Sequence, residues 1–208
     1  MKSVLLSIHQ QYCDNIISFK KLWEIRKTKP NLKPPFVVYI YETKKINKNK
    51  IVVDLDGNLP TVYARGQGKV IGKFICDKIV PIFAVAHEPW KYLAGDAHDK
   101  EKRIVSEACL SEQDIHRYSK GKDLYAWHIS KLNIYENPKE LNEFSKYWDS
   151  ENDIRPCQQG YKCEFKYYDF SEFCEACFID FDGADCQKVK LTRPPQSWCY
   201  VNSYEKNK

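Results

Sequence analysis

Lys21, Glu24 and Arg26 stand close together in the segment Lys21-Leu22-Trp23-Glu24-Ile25-Arg26. In a strand, positions two apart share a face, so Glu24 and Arg26 are expected to point to one side. Lys21, placed at the preceding bend, can approach both. A lysine, a carboxylate and an arginine converging in a cleft can orient a base or a phosphate, the guanidinium as a planar fork and the ammonium as a point charge. Lys73 would add a second lysine, which suits a phosphate better than proton abstraction. Trp23, Tyr125 and Trp127 offer flat faces for an unstacked base, and His128 is a candidate general base. The plainer alternative is a partly solvated Glu–Arg pair at a rim, with the aromatic rings and His128 in the core.

A second constellation lies further on. Cys157-x5-Cys163-x10-Cys174-x2-Cys177-x8-Cys186 contains one Cys-x2-Cys knuckle with single cysteines on both sides. Tetrahedral zinc takes four soft ligands, and a Cys-x2-Cys loop presents two thiolates to one ion. Four of these five cysteines are therefore expected to hold a structural Zn2+, with free or redox thiols and an iron–sulfur cluster as alternatives. The purified protein should carry about one zinc per chain, and replacing Cys174 and Cys177 with Ser should release it and unfold the surrounding lobe. An unchanged melting temperature without metal would remove the zinc site. Cys13, Cys76, Cys109 and Cys199 are scattered and read as small core hydrophobes.

The rest of the chain must position these groups. Of 208 residues, 43% are hydrophobic, with 14 Tyr, 10 Phe and 5 Trp, which excludes a disordered chain. A net charge of +5 permits a nucleic-acid partner without demanding one. No apolar run approaches the ~20 residues of a membrane span. The first residues do not read as a signal peptide, so a soluble cytoplasmic protein with no membrane partner is expected. Val4–Ile8 reads as a strand, Gln10–Ser18 as a helix and Phe36–Tyr41 as a buried strand. Ile51–Val53 is a short strand ending at the turn Asp56-Gly57-Asn58, and Lys44–Lys50 a solvated loop. Gly68–Ile75 is a strand continuing towards Val80, and Phe83–Ala108 has no sharp pattern. Ser111 and Asp114 form a capping-box signature that opens a helix. Leu124–Tyr135 is a strand pair or one bent strand, and Pro138–Phe144 a short helical segment.

Ser18-Phe19-Lys20-Lys21-Leu22-Trp23-Glu24-Ile25-Arg26 resembles the ASCH-domain signature Gly-x-Lys-x-x-Glu-x-Arg, with Phe19 in place of the Gly. Gly68-Lys69-Val70-Ile71-Gly72-Lys73-Phe74 is similar to that family's Gly-x-Val-x-Gly-x-Phe strand, and Leu124–Ile129 to its closing strand. Arg193-Pro194-Pro195-Gln196-Ser197-Trp198-Cys199-Tyr200-Val201 resembles the end of longer bacterial and phage members. The resemblance covers residues 1–135 and that tail. It implies a PUA-like β-barrel with a cleft facing RNA or a nucleoside. Some relatives hydrolyse acetylated cytidine with a Lys, a Thr and a Glu; others are described as ribonucleases. Here Lys21 matches the Lys, Glu24 stands at the Thr and Lys73 at the Glu, so efficient deacetylation is not expected.

These readings give an α+β fold, a small PUA/ASCH-like β-barrel with flanking helices. Residues 1–148 would form the barrel, 149–190 a cysteine-rich zinc-binding insertion and 191–208 a segment returning to the barrel. The expected function is binding RNA or a nucleotide through Lys21, Trp23, Glu24, Arg26, Lys73, Tyr125, Trp127 and His128. One alternative is a hydrolase (an amidohydrolase on a modified nucleoside, or a ribonuclease) with Lys21 and Glu24 catalytic. The other is a phage-type interaction module that docks a protein partner through its cysteine-rich lobe.

Overall fold

The structure, a computed structural model, describes residues 2–44, 68–85, 88–94, 98–147 and 190–203. The cysteine cluster, the Ile51–Val53 strand with its turn, and all of the Lys44–Lys50 loop after Lys44 lie outside them.

The fold is α+β. A five-stranded mixed sheet has the order β8 (Ser130–Lys139), β4 (Val70–Cys76), β3 (Phe36–Glu42), β1 (Lys2–Ile8), β9 (Trp198–Asn202). A four-stranded antiparallel sheet has the order β2 (Trp23–Arg26), β7 (Leu124–His128), β5 (Ile79–Val85), β6 (Glu88–Ala94). Helix α1 (Gln10–Ile17) joins β1 to β2, and α2 (His98–Glu107) and α3 (Glu112–Ser119) lie between β6 and β7. Among the described residues the sheets share a core and are not joined by one ladder into a closed barrel.

Alternation explains the packing. Val4, Leu6, Ile8, Val38, Ile40 and Phe74 face a core shared with Trp127 and Ile129. Leu5, Tyr39 and Tyr41 face the other way, against Val70, Phe144 and Val201. Strands buried on both faces read as continuous apolar runs, as Phe36–Tyr41 does. On β2, Trp23 and Ile25 pack with Leu124, Ala126, Ile104, Val105 and Ile115, so α2 and α3 cover that face. Glu24 and Arg26 are left on the opposite face, in register with Trp127 and Tyr125.

The turn after α1 delivers Lys21. Phe19 adopts φ 57, the left-handed conformation that closes a helix C-terminus and that glycine adopts most cheaply. Lys20 and Lys21 then both donate their N–H to Asn15 O, at 2.9 and 3.0 Å. The side chain of Phe19 is left 71% exposed.

Several elements differ from the sequence reading. The strand expected to run on towards Val80 breaks at Asp77 and Lys78, where Lys78 O accepts from His128 N, and β5 starts afresh. The patternless middle forms β6 and α2. Leu124–Tyr135 is a strand pair whose members enter different sheets, parting at Ile129. Pro138 and Lys139 end β8, and only Leu141–Glu143 makes a 3-10 turn, because Phe144 is already extended. The capping box forms as read: Ser111 Oγ accepts from Asp114 N, and Asp114 Oδ2 accepts from Ser111 N and Oγ. No described helix is long and apolar enough to cross a membrane.

Candidate functional site: a cavity walled by a buried ion triad

A cavity of about 740 Å³ opens where the ends of β1 and β3, helix α3 and residues 194–197 meet the inner face of β2. Lys21, Glu24 and Arg26 all line it. Their relative exposures are 2%, 6% and 9%. Glu24 sits between the cations: Oε2 lies 3.3 Å from Lys21 Nζ, and Oε1 accepts from Arg26 Nη2 at 2.8 Å. Both cations are anchored again on backbone. Lys21 Nζ donates to Ala108 O at 2.6 Å, just past the C-terminus of α2, where the helix dipole favours a cation. Arg26 Nη2 donates to Ser7 O at 2.7 Å. Arg26 Nε has no hydrogen-bond partner among the described residues, and Glu24 Oε2 meets Lys21 without hydrogen-bond geometry.

The rest of the wall is aromatic, polar and proline-rich. The Tyr12 ring lies 5.0 Å from Lys21 Nζ, and the Tyr118 ring 4.9 Å from Lys27 Nζ. His9 Nδ1 pairs with Thr43 Oγ1 at 3.1 Å. Ser7 fixes the opposite side, donating its hydroxyl to Pro195 O at 2.7 Å and its N–H to Ser197 O at 2.9 Å. Asp114 lines the cavity with Arg117. Its carboxyl is held below the ordinary value first by the Ser111 hydroxyl and then by the Ser111 N–H.

A buried carboxylate adjoins this wall. Glu42, 3% exposed, ends β3 in register with Ile8, between cavity-lining Ile8 and Thr43. Burial pushes its carboxyl up to about 7, with Asp14 adding to the shift. Burial likewise raises the Cys13 thiol, helped by Glu42, Glu24 and Asp14.

The structure brings only part of the expected set together. Lys21, Glu24 and Arg26 converge as read, whereas Trp23, Lys73, Tyr125, Trp127 and His128 do not line the cavity. Lys73 pairs with Tyr39, whose ring packs on the outer core, so strand alternation turns it away. Trp127 is fully buried between the sheets, edge-on to Phe36 at 6.0 Å, and is no stacking face. Tyr125 packs on the same core beneath Lys29, 5.7 Å above its ring. Trp23 lies under the helices, donating Nε1 to Glu107 Oε2 at 3.0 Å. The His128 ring lies tilted against Trp23, centroids 4.7 Å apart, and pairs with Asp77 at 2.7 Å. Burial opposes ionisation of Asp77, yet the hydrogen bond to His128 holds its carboxyl below the ordinary value. Tyr12, Thr43, Arg117, Tyr118 and residues 194–197 are the lining that sequence reasoning missed. The Arg193–Val201 run carried a signal as a motif, but none that aimed it at the cavity. Among the described residues no group of His, Cys, Asp or Glu is arranged to hold a metal.

The structure is similar to solved structures of the ASCH protein of Zymomonas mobilis. One matches at 20% identity and TM-score 0.45, covering 67% of this chain and 73% of that chain. A single-substitution variant of the same protein matches at 21% and TM-score 0.45, covering 68% and 77%. No family model and no curated protein matches the chain.

Proposed function

We propose that the cavity binds a nucleotide, free or as one residue of RNA, with its base against the Tyr12 and Tyr118 rings. The observation that carries this is the desolvated Lys21–Glu24–Arg26 triad on the wall of a ligand-sized cavity. Ligand cavities run to roughly 300–1,000 Å³, mostly apolar with a few fixed polar groups, and this one conforms. The triad holds two cations to one carboxylate, and Arg117 adds a third cation at the rim. Asp114, in the helix cap and 3.9 Å from Arg117, offsets part of this, and the lining that remains carries one net positive charge, which favours an anionic or acceptor-rich ligand. The aromatic and proline surface favours a flat ring. The sequence resemblance to ASCH domains points the same way, and the Cys157–Cys186 spacing supports a structural zinc in a separate lobe.

Calorimetric titration with the four nucleoside monophosphates tests this reading. At least one should bind, and Tyr118→Ala should weaken it by about tenfold, the scale of one lost base–aromatic stack. Arg117→Ala should weaken a monophosphate more than its nucleoside. Failure of all four to bind, or indifference to Tyr118→Ala, would overturn the proposal. Release of cytidine from acetylcytidine, lost in Lys21→Met, would turn it into the hydrolase reading.

A further inference from the structure

An apolar layer of the core ends on a carboxyl group. Val38 and Ile40 of β3 point into the core shared by the two sheets, where Cys13 and Ile16 of α1 pack on them. Tyr39 and Tyr41 point the other way. Alternation therefore carries Glu42 to the inner face, opposite Ile8 across the parallel ladder. This is the core onto which β2 turns Glu24 and Arg26, in register with Trp127 and Tyr125.

Charged and titratable groups meet Glu42 from each neighbouring element. Helix α1 brings Asp14 and Cys13, whose thiol donates to Ile8 O at 3.7 Å. Glu42, Glu24 and Arg26 all act on that thiol, so one atom feels both the triad and this carboxyl. His9, just past β1, holds Thr43, the next residue of the chain. On the β4 side Glu42 N donates to Lys69 O at 3.0 Å and Glu42 O accepts from Gly68 N at 2.9 Å. The Lys69 ammonium is drawn to Glu140, and the Lys44 stem lies over Gly68. Among the described residues no cation pairs with the Glu42 carboxyl. A carboxyl buried without a cationic partner keeps its proton to higher pH than a solvated one.

We propose that Glu42 is a proton switch for the cavity: an anion that enters brings a proton onto Glu42, and loss of that proton drives the anion out. The inference rests on the nucleotide reading of the cavity and concerns how that site is regulated. With Glu42 protonated, the lining keeps its one net positive charge. Ionised, Glu42 offsets that charge from just behind Ile8 and Thr43. The carboxyl titrates at about 7, so the switch spans the neutral range. Coupling is reciprocal: the proton raises affinity for the anion by the factor by which the anion raises affinity for the proton. Charges a few ångströms apart shift a carboxyl by about one unit or more, which sets a scale of about tenfold.

The test is calorimetry on the full chain with cyclic nucleoside monophosphates and, separately, sulfate, at about pH 6 and about pH 8. Both probes keep a fixed charge over that range, unlike a terminal phosphate, whose second proton leaves near ~6. Affinity should fall about tenfold from the lower pH to the higher, and Glu42→Gln should bind equally at both. Near neutrality, binding enthalpies in two buffers of different ionisation enthalpy should show uptake of close to half a proton by the parent and none by Glu42→Gln. The infrared difference spectrum of the parent should gain a carboxylic C=O stretch on sulfate binding, a reading that needs no variant. If a cyclic nucleotide binds equally at both pH values with no proton taken up, the switch is wrong and the nucleotide reading stands. If sulfate alone binds, with the expected uptake, the nucleotide reading fails and the switch survives. If neither anion binds at either pH, both fall. Uptake that persists in Glu42→Gln and disappears in His9→Gln would assign the proton to the histidine and overturn the proposal.

Discussion

Glu24→Ala is expected to lose about 3–5 kcal/mol of folding stability, the scale for breaking a buried ion pair from one side. The cause is specific. Without the carboxylate, the Lys21 ammonium and the Arg26 guanidinium face each other across a desolvated wall with only the Ala108 and Ser7 carbonyls to satisfy them. Urea unfolding should show the midpoint falling at unchanged slope. The triple replacement Glu24→Leu, Lys21→Met and Arg26→Met should regain most of that loss, because apolar groups of similar volume commonly equal or better a buried ion cluster. The folded triple variant should then bind no nucleotide. Stability within about 1 kcal/mol of the parent for Glu24→Ala alone would show that the triad is not desolvated. Nucleotide binding by the triple variant would sink the proposed role of the cavity wall.

The second large effect concerns pH. The Glu42 carboxyl titrates at about 7 in the folded protein because burial, and then Asp14, oppose its charge. In the unfolded chain it returns to the ordinary carboxylate range near 4.5. The folded state therefore holds this proton more tightly, and stability is full below about 4.5 and declines as pH rises through 7. A shift of this size corresponds to a loss on the order of 3 kcal/mol across that window. Glu42→Gln keeps the shape, removes the titration and should flatten the stability profile between those pH values. Cys13 faces the same cluster, and burial and the neighbouring carboxylates hold its thiol well above its ordinary range, so it adds no slope there. A parent profile that rises from pH 4.5 to 7, or one that Glu42→Gln leaves unchanged, would contradict the assignment.

What the sequence revealed follows from the range of each signal. Period-two alternation is local, so the shared face of Glu24 and Arg26 was legible from four residues of strand. The capping box at Ser111 and Asp114 was legible for the same reason. Alternation gives a face, however, and not a depth. Tyr125 and Trp127 do share a face with Arg26 and Glu24, yet the five-stranded sheet closes over Trp127 and removes it from any ligand. Lys73 was misplaced because the side of the sheet it faces depends on its register with Tyr39. Helix α2 was hidden by its polar composition, since among its described side chains the buried apolar ones are Ile104 and Val105, with Ala108 just beyond its end. Residues 194–197 reach the cavity only because β9 pairs with β1, a contact that no local pattern encodes.

That pairing has a consequence for how the protein comes into being. Lys2 lies opposite Asn202 and Leu6 opposite Trp198, so the first strand acquires one neighbour only when residues beyond 190 have been made. During synthesis β1 can take its parallel partner β3 early, but its other edge stays open, and an open apolar edge is a template for wrong pairing. The far wall of the cavity arrives with the same late segment, so every incomplete chain lacks the site as well as the strand. Contacts this distant in sequence also make folding slow. The growing polypeptide thus carries a long exposed phase, which a chaperone that covers strand edges would shorten and which loss of the last strand would make permanent.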